Sequence, residues 1–329
     1  MAGDARRSVF LAAVTVIGGV GVLHLGRNLR LRSRAAVSAV TLAPASLLPA
    51  AAAELVLLAG KRRTAAAVGA ATLAYCAAAH VPAYRRTPRS ALRGRRSQVE
   101  LTVMTANLLY GMADPDALTR TVERHDVDVL CVQEVHRQAL DALAARLADR
   151  LPHRLVLPGT RGGGSGIFSR FPLADRRYPS GFGFPPVMAD VLVPITLRRD
   201  GGPRTRAISV LSFHGKAPLG NGGTRPWSQD LAHVRRLMTD HHGSLIVAGD
   251  FNATREHWQF RDLLTGGFTD AAQDAGAGLL PTYPAKPGNV PLGCLDHVLL
   301  GRGLVGLDVR TRSQPGSDHR AVIARIGTE

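Results

Sequence analysis

The stretch LIVAGDFNAT, residues 245–254, decides how this sequence is read. Leu245–Ala248 is a short apolar run of the kind that fills a buried strand, and it stops on Gly249-Asp250-Phe251-Asn252. Packing alone gives a buried strand no reason to end in an acid. The same ending recurs along the chain. VELTVMTAN (99–107) alternates like a strand and ends at Asn107, Val127–Val132 runs into Gln133-Glu134, and Arg206–Phe213 runs into His214. Leu295–Leu300 carries Asp296 at its start, and Asp318-His319 stands just before Ala321–Ile326. Asp and Asn also close strands as ordinary turn residues, so each ending is weak alone. Gathered on one rim, they would make a site.

Between these strands the spacing predicts helices over Asp114–His125, Gln138–Leu151 and Pro226–Thr239, the first with Asp114 as N-cap and Pro115 in its first turn. Gly162–Ser169 reads as a glycine-rich turn leading into a strand, and Val191–Leu197 as a further strand.

The front of the chain is different. Of the 41 Lys and Arg and 25 Asp and Glu in 329 residues, residues 1–97 hold 15 basic side chains and two acids, Asp4 and Glu54, for a balance of +13. The remaining 232 residues hold 26 and 23, for +3. The overall +16 therefore does not describe a basic nucleic-acid-binding domain. Aromatic content of 5% argues against a base-stacking surface, and hydrophobic content of 45% against a disordered chain. Three cysteines exclude a disulfide scaffold and a four-cysteine zinc site.

Within the basic front, three apolar stretches free of Lys and Arg, 9–26, 35–60 and 64–84, predict a three-helix transmembrane region over residues 1–84. Glu54 reads as an interfacial partner of Lys61, and His24 and His80 as interfacial groups near span ends. An Arg-rich juxtamembrane linker (85–97) follows, then one catalytic domain over 98–329. The arginine distribution, ten flanking residues against five, favours a cytoplasmic catalytic domain by the positive-inside bias, whereas the compact Lys61–Arg63 turn resembles a cytoplasmic loop and favours the reverse.

Seven segments, TANLLYG (105–111), LCVQEV (130–135), SGIFSR (165–170), SFHGKAP (212–218), VAGDFNAT (247–254), LDHVLL (295–300) and GSDHRAV (316–322), resemble the endonuclease/exonuclease/phosphatase superfamily of deoxyribonuclease-like hydrolases. The resemblance implies an α/β fold, a four-layered α/β sandwich of two packed mixed β-sheets flanked by helices, with the site at one rim. It implies a membrane-anchored, multi-pass phosphoesterase using Mg²⁺ or Mn²⁺, with the catalytic domain outside the cytoplasm.

Residue by residue, it matches Glu134 to the metal-binding glutamate, and Asn107 and Asp318 to positions completing that shell. His319 matches the histidine that acts as general base or phosphate ligand, and Asp296 the aspartate fixing its tautomer. His214 matches the second histidine, which protonates the leaving group or holds phosphoryl oxygens. Asp250 and Asn252 match the pair that orients the nucleophile and bonds the phosphate.

There is one departure from the pattern: Pro158–Ser169 offers no carboxylate to partner His214. Lys216 is a candidate phosphate contact or a solvated strand-end lysine, and Arg161 with its glycines a substrate loop or a plain hairpin tip. His297, next to Asp296 in a strand, points to the opposite face and reads as structural. Cys131 and Cys294 read as core thiols, with a disulfide between them open. The substrate classes implied are phospholipid, inositol phosphate or nucleic acid, with the membrane as partner and no obligate protein partner. A membrane-tethered or extracellular nuclease and a non-catalytic scaffold that kept the fold are the alternatives.

Overall fold

The computed structural model describes residues 2–87, 99–160, 162–195, 204–220 and 222–328. Most of the expected basic linker, Arg161 and the end of the 191–197 strand lie outside them. The chain forms two compact units, Met1–Pro82 with Glu256–Trp258, and Ala83–Arg255 with Gln259–Glu329.

The larger unit is built on two six-stranded sheets. The first contains β1 (Glu100–Asn107), β2 (Val129–Gln133), β3 (His153–Leu157), β4 (Ser165–Ser169), β11 (Leu304–Ser313) and β12 (Arg320–Thr328), in the order β11-β12-β1-β2-β4-β3. The second contains β5 (Leu173–Arg177), β6 (Val187–Ile195), β7 (Arg204–His214), β8 (Leu245–Asp250), β9 (Thr269–Asp270) and β10 (Asp296–Leu300), in the order β5-β6-β7-β8-β10-β9. Both are mixed: β1 runs parallel to β2 and β7 to β8, while β1–β12 and β8–β10 are antiparallel.

The core lies between the sheets, where Val103, Val129 and Ile167 meet Val210, Ile246 and Val298. On the outer side of the first sheet, Met104, Leu130 and Phe168 pack with Leu118, Val122, Leu140 and Leu143 of the helices Pro115–Arg124 and Arg137–Arg146. Asp114 caps the first of these, its carboxylate accepting from the Asp116 and Ala117 N–H groups. The crossover from β7 to its parallel neighbour β8 is the helix Thr224–Asp240, which buries Trp227, Leu231, Val234 and Met238 along one stripe. Each fully buried aliphatic side chain contributes ~1.5–3 kcal/mol, so the inter-sheet core fixes where the strand ends sit.

Strand alternation carries the core into the site. Inward positions run Val103–Thr105–Asn107 on β1, Val210–Ser212–His214 on β7, Ile246–Ala248–Asp250 on β8, and Leu300–Val298–Asp296 on β10. Thr105 donates to Gln133 Oε1 and Gln133 Nε2 to Ser212 Oγ, a polar layer between apolar core and rim. Gly249 is required because a Cβ there would lie 1.8 Å from the Phe213 carbonyl oxygen of β7. Strands β3, β5, the two-residue β9 and β11 escaped the sequence reading. The first two are edge strands with Arg154, Arg176 and Arg177 interrupting any pattern, and β11 is broken by a bulge at Gly306/Asp308. Cys131 is a buried thiol, pushed up to about 12 by burial, and Cys294 is half-buried; the two form no disulfide.

The smaller unit corrects the expectation of three spans. Among the described residues one helix, Ala2–Gly26, is long and apolar enough to cross a bilayer, or two if the bent pair that follows is one broken span. The second stretch is a pair of helices, Arg34–Thr41 and Ala43–Ala59, bent by 65° at the break ahead of Pro44. The third is a 16-residue helix, Arg63–Ala78, or ~24 Å, shorter than the ~30 Å hydrocarbon core. Small residues pack inside this unit, with Ala13, Ala53 and Ala66 around Ile17 and Leu57. Large ones such as Val9, Val22, Leu48, Leu55 and Val68 face outward.

Glu54 does not reach Lys61. It lies on the inward stripe with Ala50, Ala53 and Leu57, against Gly69, where a Cβ would collide with its Oε2. His24 and His80 are buried against each other, Nε2 to Nε2 at 3.2 Å, because His24 continues the inward stripe of Ala13, Ile17 and Val20.

Candidate active site

Register assembles the first half of the site. On the second sheet His214 pairs with Asp250 across β7/β8, and Asp250 with Asp296 across β8/β10, so three of the expected residues stand in one row. On the first sheet Asn107 lies beside Gln133, and Glu134 follows at once. Glu134 sits at φ 54°, a left-handed conformation costing ~1–2 kcal/mol in a non-glycine residue. Its Oε2 accepts from the Tyr110 N–H at 3.3 Å.

Asn107 joins the two sheets. Its Nδ2 donates to Glu134 Oε1 and to Asp250 Oδ2, each at 3.0 Å, while its Oδ1 accepts from the Leu109 N–H. Asp250 is the hub. Its Oδ1 accepts from the Asn252 N–H at 2.8 Å, and its Oδ2 lies 3.7 Å from both His214 Nε2 and His319 Nε2. Asn252, also left-handed at φ 48°, donates from Nδ2 to the Gly215 carbonyl and so ties the β8 turn to the residue after His214.

His319 Nδ1 and Asp296 Oδ2 are 2.8 Å apart. Thr282 Oγ1 accepts from the Asp296 N–H, and Ser317 Oγ donates to the Asn107 carbonyl while accepting from the His319 N–H. Asp318 stands off. Between inward Ser317 and His319 it is half-buried, and its carboxylate makes no hydrogen bond or ion pair among the described residues.

The electrostatics follow from burial of like charges. Burial, with Asp250 nearby, holds the Glu134 carboxyl above the usual range, and burial with Asp296 does the same to Asp250. Burial alone would lower His319, but Asp296 and Asp250 outweigh it and raise it to about 10. His214 is pushed down to about 4, chiefly by burial. Asp250, Asp296 and His319 each offer an atom within 4.8 Å of the others, and Asp296 Oδ1 has no hydrogen-bond partner among the described residues. His319, protonated, has no lone pair to offer, but the carboxylates of Glu134, Asp250 and Asp296 give this corner oxygen donors of the kind that fit a hard divalent cation.

On the face of its ring His214 has an aromatic partner that sequence reasoning missed. Phe184 stacks on its ring at 4.5 Å and 15°. The Lys216 ammonium lies 3.4 Å from the centre of the Phe184 ring rather than free at the rim. Buried Asp230 braces this corner, accepting from the Gly183 and Lys216 N–H groups at 2.8 and 2.9 Å. No local pattern marks Phe184 or Asp230, because both act across loops far apart in sequence.

His297 lies on the other side of β10 against Phe260 and Phe251. Its Nε2 faces the Ala253 and Cys294 carbonyls at 3.0 and 2.8 Å and must carry a proton, while its Nδ1 is 3.0 Å from Asp270 Oδ2. Burial would raise Asp270, but His297 outweighs it and keeps that carboxyl below the usual range. His297 therefore clamps the segments that follow Asn252 and precede Asp296.

Known proteins agree with this architecture. Comparison with curated proteins gave no match. Among solved structures the chain is similar to an endonuclease/exonuclease/phosphatase from Bacteroides vulgatus, with TM-score 0.54 and 16% identity over 70% of this chain and 100% of that one. It is similar to another from Beutenbergia cavernae, with TM-score 0.53 and 19% identity over 71% and 72%. D. rerio TDP2, complexed with a single-strand DNA product, gives 0.52 and 14% over 70% and 99%. Likenesses at this level of identity establish the fold. Residues 104–319, most of the chain, match the family model described as Endonuclease/Exonuclease/phosphatase family, and the chain belongs to that family.

Proposed function

We propose that this protein is a membrane-tethered, divalent-metal-dependent phosphoesterase whose catalytic domain spans residues 98–329. The observation that carries the reading is Asp250 at the centre of one buried cluster, 3.7 Å from two imidazoles and bridged to Glu134 through Asn107. The tether is the helix Ala2–Gly26.

Glu134, with Asn107 and Asp250 beside it, would hold Mg²⁺ or Mn²⁺, and the bound cation supplies charge neutralisation at the phosphate oxygens. Asp318, half-buried nearby, is assigned an outer position. The chain's own residues do the rest. His319, kept protonated at neutral pH by Asp296 and Asp250, donates from Nε2 to a phosphoryl oxygen. His214 is neutral at that pH, and its Nε2 faces the Glu134 and Asp250 carboxylates at 3.8 and 3.7 Å. It donates to the leaving or non-bridging oxygen. Asp250 accepts from the attacking water, and Asn252 aligns Asp250 through its backbone N–H. Lys216 contributes positive potential through Phe184.

A panel of phosphodiesters and phosphomonoesters, run on the full chain with Mg²⁺, Mn²⁺ and chelator, tests the reading. Metal-dependent turnover of at least one ester is the expected result. Absence of turnover throughout would favour a scaffold that kept the fold.

A further inference from the structure

The catalytic unit exposes few large apolar side chains, and most of them lie on the loops that adjoin the strand ends of the site. Among the described residues of Ala83–Arg255 and Gln259–Glu329, the exposed ones are Tyr84, Tyr110, Met112, Tyr178, Leu219, Tyr283, Val290 and Leu292. Six of these eight lie on loops that leave or enter the strand ends carrying the site residues, so the patch belongs to the rim rather than to the surface at large.

Hydrogen bonds and ring contacts tie each loop to the site. Tyr110 donates its N–H to Glu134, and Met112 lies two residues on in the same loop. Leu219 is in the loop after His214, whose Gly215 carbonyl accepts from Asn252. The Tyr283 ring lies 5.0 Å from that of His319. Tyr283 bridges to Gly293, so Val290 and Leu292 stand on the far arm of a projecting hairpin. Exposure runs from 39% at Tyr283 to 73% at Val290. Leaving such side chains wet around a polar centre costs free energy unless a partner covers them.

We infer that this rim meets a lipid surface, and that the substrate is a phosphoester carried on a membrane amphiphile. The inference rests on the phosphoesterase reading above. Three observations favour lipid over nucleic acid. Four of the six side chains are aliphatic or thioether and cannot stack on bases. Residues 98–329 carry a balance of only +3, too little for tight binding to a polyphosphate backbone. An apolar ring around a phosphate-binding centre matches an amphiphile whose phosphoester stands at the boundary between water and acyl chains, into which such residues sink ~5–10 Å.

Two experiments on the full chain in phosphatidylcholine nanodiscs test this. In the first, Val290→Trp adds an emitter at the hairpin, read as the difference from wild type. Blue-shifted emission quenched by dibrominated phospholipid is expected; water-like, unquenched emission overturns the proposal. This readout needs no catalysis, so it stands even if no phosphoester is turned over.

The second compares wild type with Leu219→Ser/Val290→Ser/Leu292→Ser on a phospholipid in mixed micelles, on soluble bis-p-nitrophenyl phosphate and on a single-stranded oligonucleotide. The triple variant should raise the interfacial KM for phospholipid at least tenfold and leave the soluble diester within threefold. An unchanged phospholipid KM, or a loss confined to the oligonucleotide, overturns the lipid assignment alone. Failure of wild type on every ester overturns the phosphoesterase reading instead.

Discussion

Replacing Asn107 with alanine removes the amide that bridges the half-buried Glu134 carboxylate and the buried Asp250 carboxylate. Its Nδ2 makes two hydrogen bonds of 3.0 Å to charged acceptors, Glu134 and Asp250, at a residue that is 1% exposed. Hydrogen bonds to charged groups are worth ~1.5–3 kcal/mol each, so their joint loss amounts to ~3–6 kcal/mol. Part of that appears as instability and part as misplacement of Glu134 and Asp250. If most of it reaches the transition state, at ~1.4 kcal/mol per decade, kcat/KM falls by ~10²–10⁴. The assay is hydrolysis of bis-p-nitrophenyl phosphate by the full chain across a Mg²⁺ titration, with circular dichroism to establish that the variant is folded. A folded Asn107→Ala variant within fivefold of wild type at every Mg²⁺ concentration would refute the bridging role.

Other outcomes follow from the same geometry. Phe184→Ala removes the stack on His214 and the ring beneath Lys216; at ~0.5–1.5 kcal/mol for the stack and ~0.5–2 for the cation–π contact, kcat should fall about 5- to 400-fold while Phe184→Tyr stays near wild type. Asp230→Ala leaves the Gly183 and Lys216 N–H groups unpaired and should lower kcat more than it raises KM, because it displaces the loops that seat Phe184 rather than a group binding substrate. Asp270→Asn leaves His297 without its carboxylate in a buried pocket, a loss of ~3–5 kcal/mol that should lower the melting temperature of the catalytic unit by about 6–20 °C at pH 7. The pH dependence has a definite sign. Asp270 is depressed in the folded state, so its contribution is present above the unfolded carboxylate pKa and lost as pH falls through the folded one. The gap between Asp270→Asn and wild type should therefore close in acid, and a gap constant from pH 7 to 3 would argue against an ionised Asp270.

How far the fold could be read from sequence depended on where the signal was local. β1, β2, β7 and β8 each pair a buried apolar run with a polar terminus, and period-two alternation puts Asn107, His214 and Asp250 on the same inward face as Val103, Val210 and Ile246. The edge strands β3 and β5 lack that contrast because they are only partly buried and Arg154, Arg176 and Arg177 interrupt their apolar positions. The three apolar stretches of the front were all legible as helices, but only the first is also an unbroken helix long enough to span. Composition records the absence of charge, whereas spanning also needs uninterrupted length, which the break ahead of Pro44 and the end at Ala78 remove. In the site, residues at strand ends were visible one by one. The Phe184 stack, the Asp230 brace and the His297 clamp were not, since each exists only once loops separated by tens of residues meet.

The central claim is that Asn107, Glu134, His214, Asp250, Asp296 and His319 form one hydrolytic centre. Its most direct test is the initial rate of bis-p-nitrophenyl phosphate hydrolysis by wild type and His319→Ala, each with Mg²⁺ and with excess chelator. Wild type with Mg²⁺ should turn over, chelator should abolish the rate, added Mg²⁺ should restore it, and His319→Ala should lose at least a thousandfold while staying folded. A rate indifferent to chelator, or a folded His319→Ala variant as active as wild type, would contradict it.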